Sequence, residues 1–163
     1  MKVYLANSLF NEADIAYNNH LAELIRGNID NIDLYVPQEN EDINDKGTYA
    51  DSVMIARADY NELKSSDVLV AVLDNADNGV SFEAGIAFER GMPIIGLFTD
   101  VRQQGRDNEK KINALISDGT ENQFIYHNLM EIGGIKIVGK IVDNKHDLVM
   151  ELKKINENNN QGE

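Results

Sequence analysis

The segment between Val68 and Arg90 constrains the fold more than any other part of the sequence. It begins with the uninterrupted apolar run VLVAVL, continues through the polar link DNADNGVS and ends with the amphipathic stretch FEAGIAFER. A short, Val-rich apolar run of this kind is typical of a buried parallel strand. Because ligands of open α/β sheets bind beyond the carboxyl ends of the strands, we expect a crevice beside Asp74, Asp77 and Glu83.

Strand and helix patterns alternate along the rest of the chain. Apolar runs predict strands at Lys2–Ala6, Asp33–Val36, Val68–Leu73 and Pro93–Phe98, and a last strand or tight hairpin at Gly133–Val142. The spacing of apolar residues predicts helices at Asp14–Arg26, Tyr49–Ser65, Ser81–Arg90 and Asp147–Ile155. This alternation indicates a single-domain α/β fold with about five parallel strands flanked by helices, doubly wound in the flavodoxin-like or Rossmann-like manner.

The segments between these elements are polar. Gln38–Gly47 and Thr99–Lys111 are predicted to be surface loops, and Ile112–Ile132 is predicted to be helical with a break at Asp118–Gly119. No interdomain linker is apparent, so residues 1–157 are expected to form one domain. Residues 158–163 are expected to be a frayed polar tail.

Composition narrows the class of partner. The 163 residues include no cysteine, which excludes disulfides and thiolate metal sites, and no apolar run is long enough to span a bilayer. The N-terminus enters a strand pattern directly instead of reading as a signal peptide, so we expect a cytoplasmic protein. A formal net charge of -13 argues against binding to nucleic acid or to an anionic membrane and favours a small metabolite.

Glu83 is the carboxylate with the clearest chemical interpretation. Ser81 is a candidate N-cap, which would place Glu83 in the first turn of a helix, where the helix dipole favours the ionised form. An ionised carboxylate can attack an oxocarbenium-like sugar carbon, as in retaining glycosidases. The competing structural interpretation is that acidic residues are simply common in first turns. Gly79 and Gly85 favour the functional interpretation of Glu83, because glycines allow a ligand to come close to the backbone and allow tight packing of the helix on the sheet.

Other site types lack their defining residues. No strand is followed by GxGxxG, and neither GxxxxGK[ST] nor GxSxG occurs. His20, His127 and His146 are scattered, and DNADNG does not match a calcium loop, so we expect neither a metal nor a cofactor. Asp67 immediately precedes a strand and is interpreted as a cap or turn residue rather than a site residue.

Five motifs together resemble the nucleoside 2-deoxyribosyltransferase family. They are YLANSLF near the start, VPQEN after the second strand, ADYNELKSSDVLVAVLD, DNGVSFEAGIA and YHNLM. The most specific is the strand, loop and helix block with D-x-G-x-x-x-E-x-G, and the motifs cover nearly the whole chain in order. The resemblance implies transfer of 2-deoxyribose between nucleobases, with deoxynucleosides and free bases as partners in nucleotide salvage.

The resemblance also implies roles for individual residues. Glu83 would attack C1′ and hold a covalent deoxyribosyl intermediate in a retaining ping-pong reaction. Asp59 and Asp77 would contact the nucleobase, one of them passing a proton to the leaving ring nitrogen. Tyr4 would donate a hydrogen bond that orients Glu83.

Substrate contacts are implied for a further group of residues. Asn128 would bind the 5′-hydroxyl with Met130 packing nearby, both from a neighbouring subunit, so a homo-oligomer built from dimers is expected. Asn113, in the segment INAL, is the alternative to Asn128. Phe10 and Gly79 are also expected to line the substrate site.

Two other functions remain open at this point. One is an N-glycosidase that hydrolyses 2′-deoxynucleoside 5′-monophosphates, which would need basic residues and serines around the phosphate. NSLFNEAD contains no basic residue, and Asn at position 128 favours a neutral hydroxyl. The other is a non-catalytic nucleotide-sensing module, which would be expected to have lost Glu83.

Overall fold

The structure, a computed structural model, describes residues 1–44, 47, 49–103, 105–117 and 127–161, with side chains as far as 159. Its strands are β1 (Lys2–Ala6), β2 (Asp33–Tyr35), β3 (Val68–Val72), β4 (Ile94–Leu97) and β5 (Lys140–Val142). Its α-helices are α1 (Glu12–Asn28), α2 (Glu41–Asn44), α3 (Ser52–Ser65), α4 (Asn78–Glu89), α5 (Glu109–Ser117), α6 (Leu129–Val138) and α7 (Lys145–Gln161). Short 3-10 helices lie at Pro37–Glu39 and Val101–Gln103.

The strands form one parallel sheet in the order β2-β1-β3-β4-β5. This confirms the predicted single-domain, doubly wound α/β architecture. From β1 the chain moves outward to β2, and from β3 it moves outward in the other direction. The switch point therefore lies between β1 and β3, and a ligand crevice is expected at their carboxyl ends.

Side chains of successive strand residues pack on opposite faces of the sheet. Val3, Leu5 and Val70 pack on one face with residues of α1 and α7. Tyr4 and Leu69 pack on the other face with residues of α3, α4 and α6. All five residues of β3 are buried, as expected for a central parallel strand covered on both sides.

Local capping determines where the helices begin and end. Asp51 accepts hydrogen bonds from the N–H groups of Val53 and Met54, so α3 begins at Ser52 rather than at the predicted Tyr49. The end of α4 follows the prediction more closely. Gly91 adopts a left-handed φ of 64° just beyond the helix, where glycine is favoured.

Several sequence predictions are corrected. The loop predicted at Gln38–Gly47 contains α2 and part of a 3-10 helix, and the loop at Thr99–Lys111 contains another 3-10 helix and the start of α5. The strand or hairpin predicted for Gly133–Val142 is α6 as far as Val138, with only its last three residues in β5.

Two predictions in the second half of the chain have separate outcomes. The closing helix α7 continues through Gln161, so helix extends into the segment predicted to be a frayed tail. The break predicted at Asp118–Gly119 lies outside the described residues. No described helix has both the length and the apolar character needed to cross a membrane.

Candidate active site

A buried tyrosine and a glutamate form the centre of the site. Tyr4 is fully buried in the middle of β1, and its hydroxyl donates a hydrogen bond of 2.5 Å to Oε1 of Glu83 on α4. Burial and the neighbouring carboxylates raise the pKa of Tyr4 well above its usual range, so the hydroxyl keeps its proton. Among the described residues, no donor forms a hydrogen bond with Oε2 of Glu83.

The structure corrects both the position and the electrostatics predicted for Glu83. Asp77, not Ser81, is the N-cap of α4, so Glu83 lies in the second helical turn. Burial raises the pKa of Glu83 to about 7, with smaller increases from Asp59 and Asp77 and an opposing decrease from the Tyr4 hydrogen bond. Desolvation therefore dominates, in contrast to the predicted helix dipole that favours the ionised form.

Asp59 lies on α3 beside this pair and is held by a tyrosine. The hydroxyl of Tyr35 donates a hydrogen bond of 3.1 Å to Oδ1 of Asp59, and Asn40 Nδ2 donates one of 3.0 Å to the same hydroxyl. Burial raises the pKa of Asp59 despite the Tyr35 hydrogen bond, which lowers it. Asp59 is thus suited to carry a proton that an ordinary aspartate would have lost.

Asp77 has a structural role that the sequence analysis did not assign to it, as the N-cap of α4. Its Oδ1 accepts hydrogen bonds from the N–H groups of Gly79 and Val80 at 2.8 and 3.1 Å. A Cβ at position 79 would lie 3.0 Å from that oxygen, which explains the use of glycine there. Gly85 behaves differently, because a Cβ there would meet nothing within 4 Å. The predicted role of Gly85 in tight packing on the sheet is therefore wrong.

The residues expected to bind the sugar are not all beside Glu83. Asn128 is the N-cap of α6 and accepts a hydrogen bond from the Met130 N–H at 2.9 Å. Both residues line a cavity of about 520 Å³ between α4 and α6, whose lining also includes Ser81 and Phe88 but not Glu83. Within one chain, the structure therefore does not bring Asn128 and Met130 together with Glu83.

The remaining predicted residues are exposed. Phe10 follows the carboxyl end of β1 and is 80% exposed, and Asn113 lies on an exposed position of α5. Asp67 accepts a hydrogen bond of 2.7 Å from the backbone N–H of Lys2. This contact at the amino end of the sheet agrees with the prediction of a turn residue outside the site. Among the described residues, no group of three or more His, Asp or Glu side chains could hold a metal ion.

Sequence reasoning missed Tyr35 and Asn40. Tyr35 is paired with Tyr4 in the register of β1 and β2, and the two rings lie 5.1 Å apart between centroids. Because residues paired across parallel strands share a face, correct alignment of the two strands would have placed Tyr35 beside Tyr4. The second strand is only three residues long, which left that alignment undetermined by pattern alone.

These features define a parallel α/β protein with a partly buried carboxyl group that is held by a tyrosine and lies beside two further carboxyl groups at one face of the sheet. The sequence profile of the nucleoside 2-deoxyribosyltransferases matches residues 3–115. The chain belongs to the nucleoside 2-deoxyribosyltransferase family.

Two solved structures share this fold. A conserved protein from Enterococcus faecalis V583 is 49% identical, with a TM-score of 0.87 over 94% of this chain and 97% of that chain. A 2-deoxyribosyltransferase from the psychrotolerant bacterium Bacillus psychrosaccharolyticus is 18% identical, with a TM-score of 0.60 over 91% of this chain and 90% of that chain. The second likeness shows the shared fold. The comparison with curated proteins gave no significant match.

Proposed function

We propose that this protein transfers 2-deoxyribose between nucleobases through a covalent deoxyribosyl intermediate on Glu83. The observation that carries the proposal is the 2.5 Å hydrogen bond from Tyr4 to Glu83 Oε1, which holds a partly buried carboxyl group. With a pKa of about 7, this group is ionised in a substantial fraction of molecules at neutral pH. It is also less stabilised by solvent than an ordinary glutamate, which favours nucleophilic attack.

The reaction consists of two displacements at the same carbon. In the first, Oε2 of Glu83 forms a bond to C1′ while the bond from C1′ to the base nitrogen breaks, and its electron pair leaves with the base. In the second, a nitrogen of another base attacks C1′ and releases the carboxylate. Two inversions give net retention, which is the stereochemistry of deoxynucleoside exchange.

Asp59 is the better candidate for the proton donor to the leaving base. Its pKa is raised by burial, so it holds a proton at a higher pH than an exposed aspartate does. Asp77 uses Oδ1 to cap α4, and its second oxygen can accept a hydrogen bond from the base. Asp59→Asn is therefore expected to lower kcat for donors whose base must be protonated, and Asp77→Asn to act mainly on KM for the base.

A second subunit would complete the sugar site. Leu129 and Met130 on α6 and Phe82 on α4 are large apolar side chains that are more than 70% exposed, which supports burial against a second copy. Mixing two inactive variants tests this arrangement. A Glu83→Ala protomer supplies Asn128, and an Asn128→Ala protomer supplies Glu83, so mixed dimers should regain activity at one site of each pair. If the mixture regains no activity and Asn128→Ala alone is still impaired, Asn128 contacts the sugar within its own chain.

The activity test uses deoxyinosine as donor and adenine as acceptor. Formation of deoxyadenosine supports transfer. Release of hypoxanthine without a new nucleoside would indicate hydrolysis, and no reaction would indicate a sensing module. Glu83→Ala should abolish exchange, and full exchange in that variant would refute the proposal. A place in cytoplasmic nucleotide salvage follows from the same proposal.

A further inference from the structure

Asn40, Tyr35 and Asp59 form a hydrogen-bond chain whose direction is determined by its first member. Oδ1 of Asn40 accepts from the backbone N–H of Asp42 at 3.1 Å, so the amide must point its Nδ2 group toward Tyr35. An amide NH₂ group only donates, and the Tyr35 oxygen must therefore accept at 3.0 Å. The single proton of the Tyr35 hydroxyl is left to point toward Oδ1 of Asp59, 3.1 Å away.

We propose that Tyr35, held by Asn40, is a positioning residue that fixes which oxygen of Asp59 carries the transferable proton. Because Oδ1 accepts from Tyr35, the proton of the neutral carboxyl group resides on Oδ2. This inference rests on the proposed function, since it assigns the proton donor of that reaction. Tyr35 itself contacts no reacting atom in this account.

The proton transfer balances without any further reactant. When the bond from C1′ to the base nitrogen breaks, its electron pair remains on the base. The bond between Oδ2 of Asp59 and its proton breaks, and a new N–H bond forms on the ring nitrogen of the base. Asp59 is left as a carboxylate that still accepts the Tyr35 hydrogen bond. In the second displacement the incoming base returns a proton to Oδ2.

The packing of Tyr35 supports a role that depends on its hydroxyl rather than on its ring. The ring lies against Tyr4 with 5.1 Å between centroids and a 41° tilt, a contact that phenylalanine can keep. Burial raises the pKa of the Tyr35 hydroxyl, so it remains a donor at every pH at which the enzyme would be assayed. Tyr35→Phe therefore removes one donor while leaving the packing of β1 and β2 in place.

The decisive experiment compares two donors in Tyr35→Phe. Deoxyinosine requires protonation of its leaving base, whereas a 7-methylated purine 2′-deoxynucleoside carries a positive base that leaves as a neutral molecule. Base release is measured in a single turnover without acceptor, because the second displacement uses Asp59 with either donor. With deoxyinosine we expect the rate of base release to fall roughly tenfold at an unchanged half-saturating concentration, because about one hydrogen bond is lost in the transition state. With the methylated donor we expect the rate of base release to equal that of the wild type, because this step takes no proton from Asp59.

The matched control is Tyr17→Phe, which removes the hydroxyl of a half-buried tyrosine on α1 whose side chain packs on the other face of the sheet. It should behave as the wild type with both donors. Equal losses of rate with both donors in Tyr35→Phe, or no loss with either donor, would overturn the inference. The proposed function would still stand in that case if the wild-type protein exchanges bases. Absence of exchange in the wild type would instead refute the proposed function.

A second variant tests the direction of the hydrogen-bond chain. Asn40→Asp keeps an oxygen for the Asp42 N–H but replaces the donating NH₂ group by an accepting oxygen. The Tyr35 proton can then turn toward the carboxylate introduced at position 40 instead of toward Asp59. We expect the same donor-dependent loss as in Tyr35→Phe, and a wild-type rate of base release from deoxyinosine would contradict the inference.

Discussion

Replacing Glu83 by Gln is expected to change the pH dependence of stability in a predictable way. The substitution keeps an oxygen that can accept the Tyr4 hydrogen bond but removes the charge that burial disfavours. In the folded wild type the pKa of Glu83 is about 7, against 4.5 for the ordinary side chain. The folded state therefore binds the proton more tightly than the unfolded state does.

The sign and the size of the effect follow from that difference. At a pH below 4.5 Glu83 is protonated in both states, so the wild type and Glu83→Gln should have similar free energies of unfolding. As the pH rises toward 7, folding must either retain the proton or bury a charge, and the wild type loses stability relative to the variant. At about 1.36 kcal/mol per pKa unit, the difference reaches roughly 3 kcal/mol above pH 7.

Urea denaturation of both proteins at a series of pH values measures this difference directly. The variant should have the higher free energy of unfolding at pH 8. In thermal unfolding at the same pH, its Tm should be higher by roughly 6 to 12 °C. Glu83→Gln should also lack transfer activity, because an amide cannot replace the carboxylate as the proposed nucleophile. Equal free energies of unfolding of the two proteins from pH 4 to pH 9 would refute the conclusion that desolvation raises the pKa of Glu83.

Two further predictions concern the same site and the packing of the sheet that supports it. Tyr4→Phe removes the hydrogen bond that lowers the pKa of Glu83. The value of kcat/KM should therefore fall roughly 10- to 100-fold, and the acidic limb of its pH profile should move to higher pH. A shift of that limb to lower pH would contradict the assigned hydrogen bond. Gly139→Ala should cost at least about 3 kcal/mol of stability, because the added Cβ would lie 1.8 Å from the Ile94 carbonyl oxygen. The control Gly27→Ala, where nothing lies within 4 Å on an exposed helical turn, should instead raise stability by about 0.5 kcal/mol in the same urea titrations. Equal effects at the two glycines would contradict the close approach of Gly139 to the Ile94 backbone.

The strands were largely predictable because their apolar runs are continuous and end in polar or Gly/Pro residues. The predicted strand Val68–Leu73 differs from β3 by one residue, and the parallel arrangement follows from the alternation with helices. The segment that became α6 could not be assigned in this way. GGIKIV combines glycines with β-branched residues, a composition that locally favours a strand. In the structure Ile135 of this helix is buried against the sheet, and tertiary packing overrides the local preference.

The candidate site was predictable in its membership more than in its electrostatics. The motifs identified Tyr4, Glu83 and Asp59, and the structure brings these residues together. The pKa of Glu83 could not be inferred from a presumed first-turn position, because it depends on burial by side chains distant in sequence. Tyr35 was missed for a related reason, since its contact with Asp59 spans 24 residues of sequence and depends on strand register.

The proposed mechanism requires that Glu83 becomes covalently bonded to 2-deoxyribose during turnover. Mass spectrometry of enzyme quenched in acid within the first turnover with deoxyinosine, in the absence of an acceptor base, detects this bond. We expect a mass increase of one 2-deoxyribosyl group, localised to the peptide containing Glu83 and absent from Glu83→Ala. Exchange of bases without any such adduct, or an adduct on another residue, would contradict the proposed mechanism.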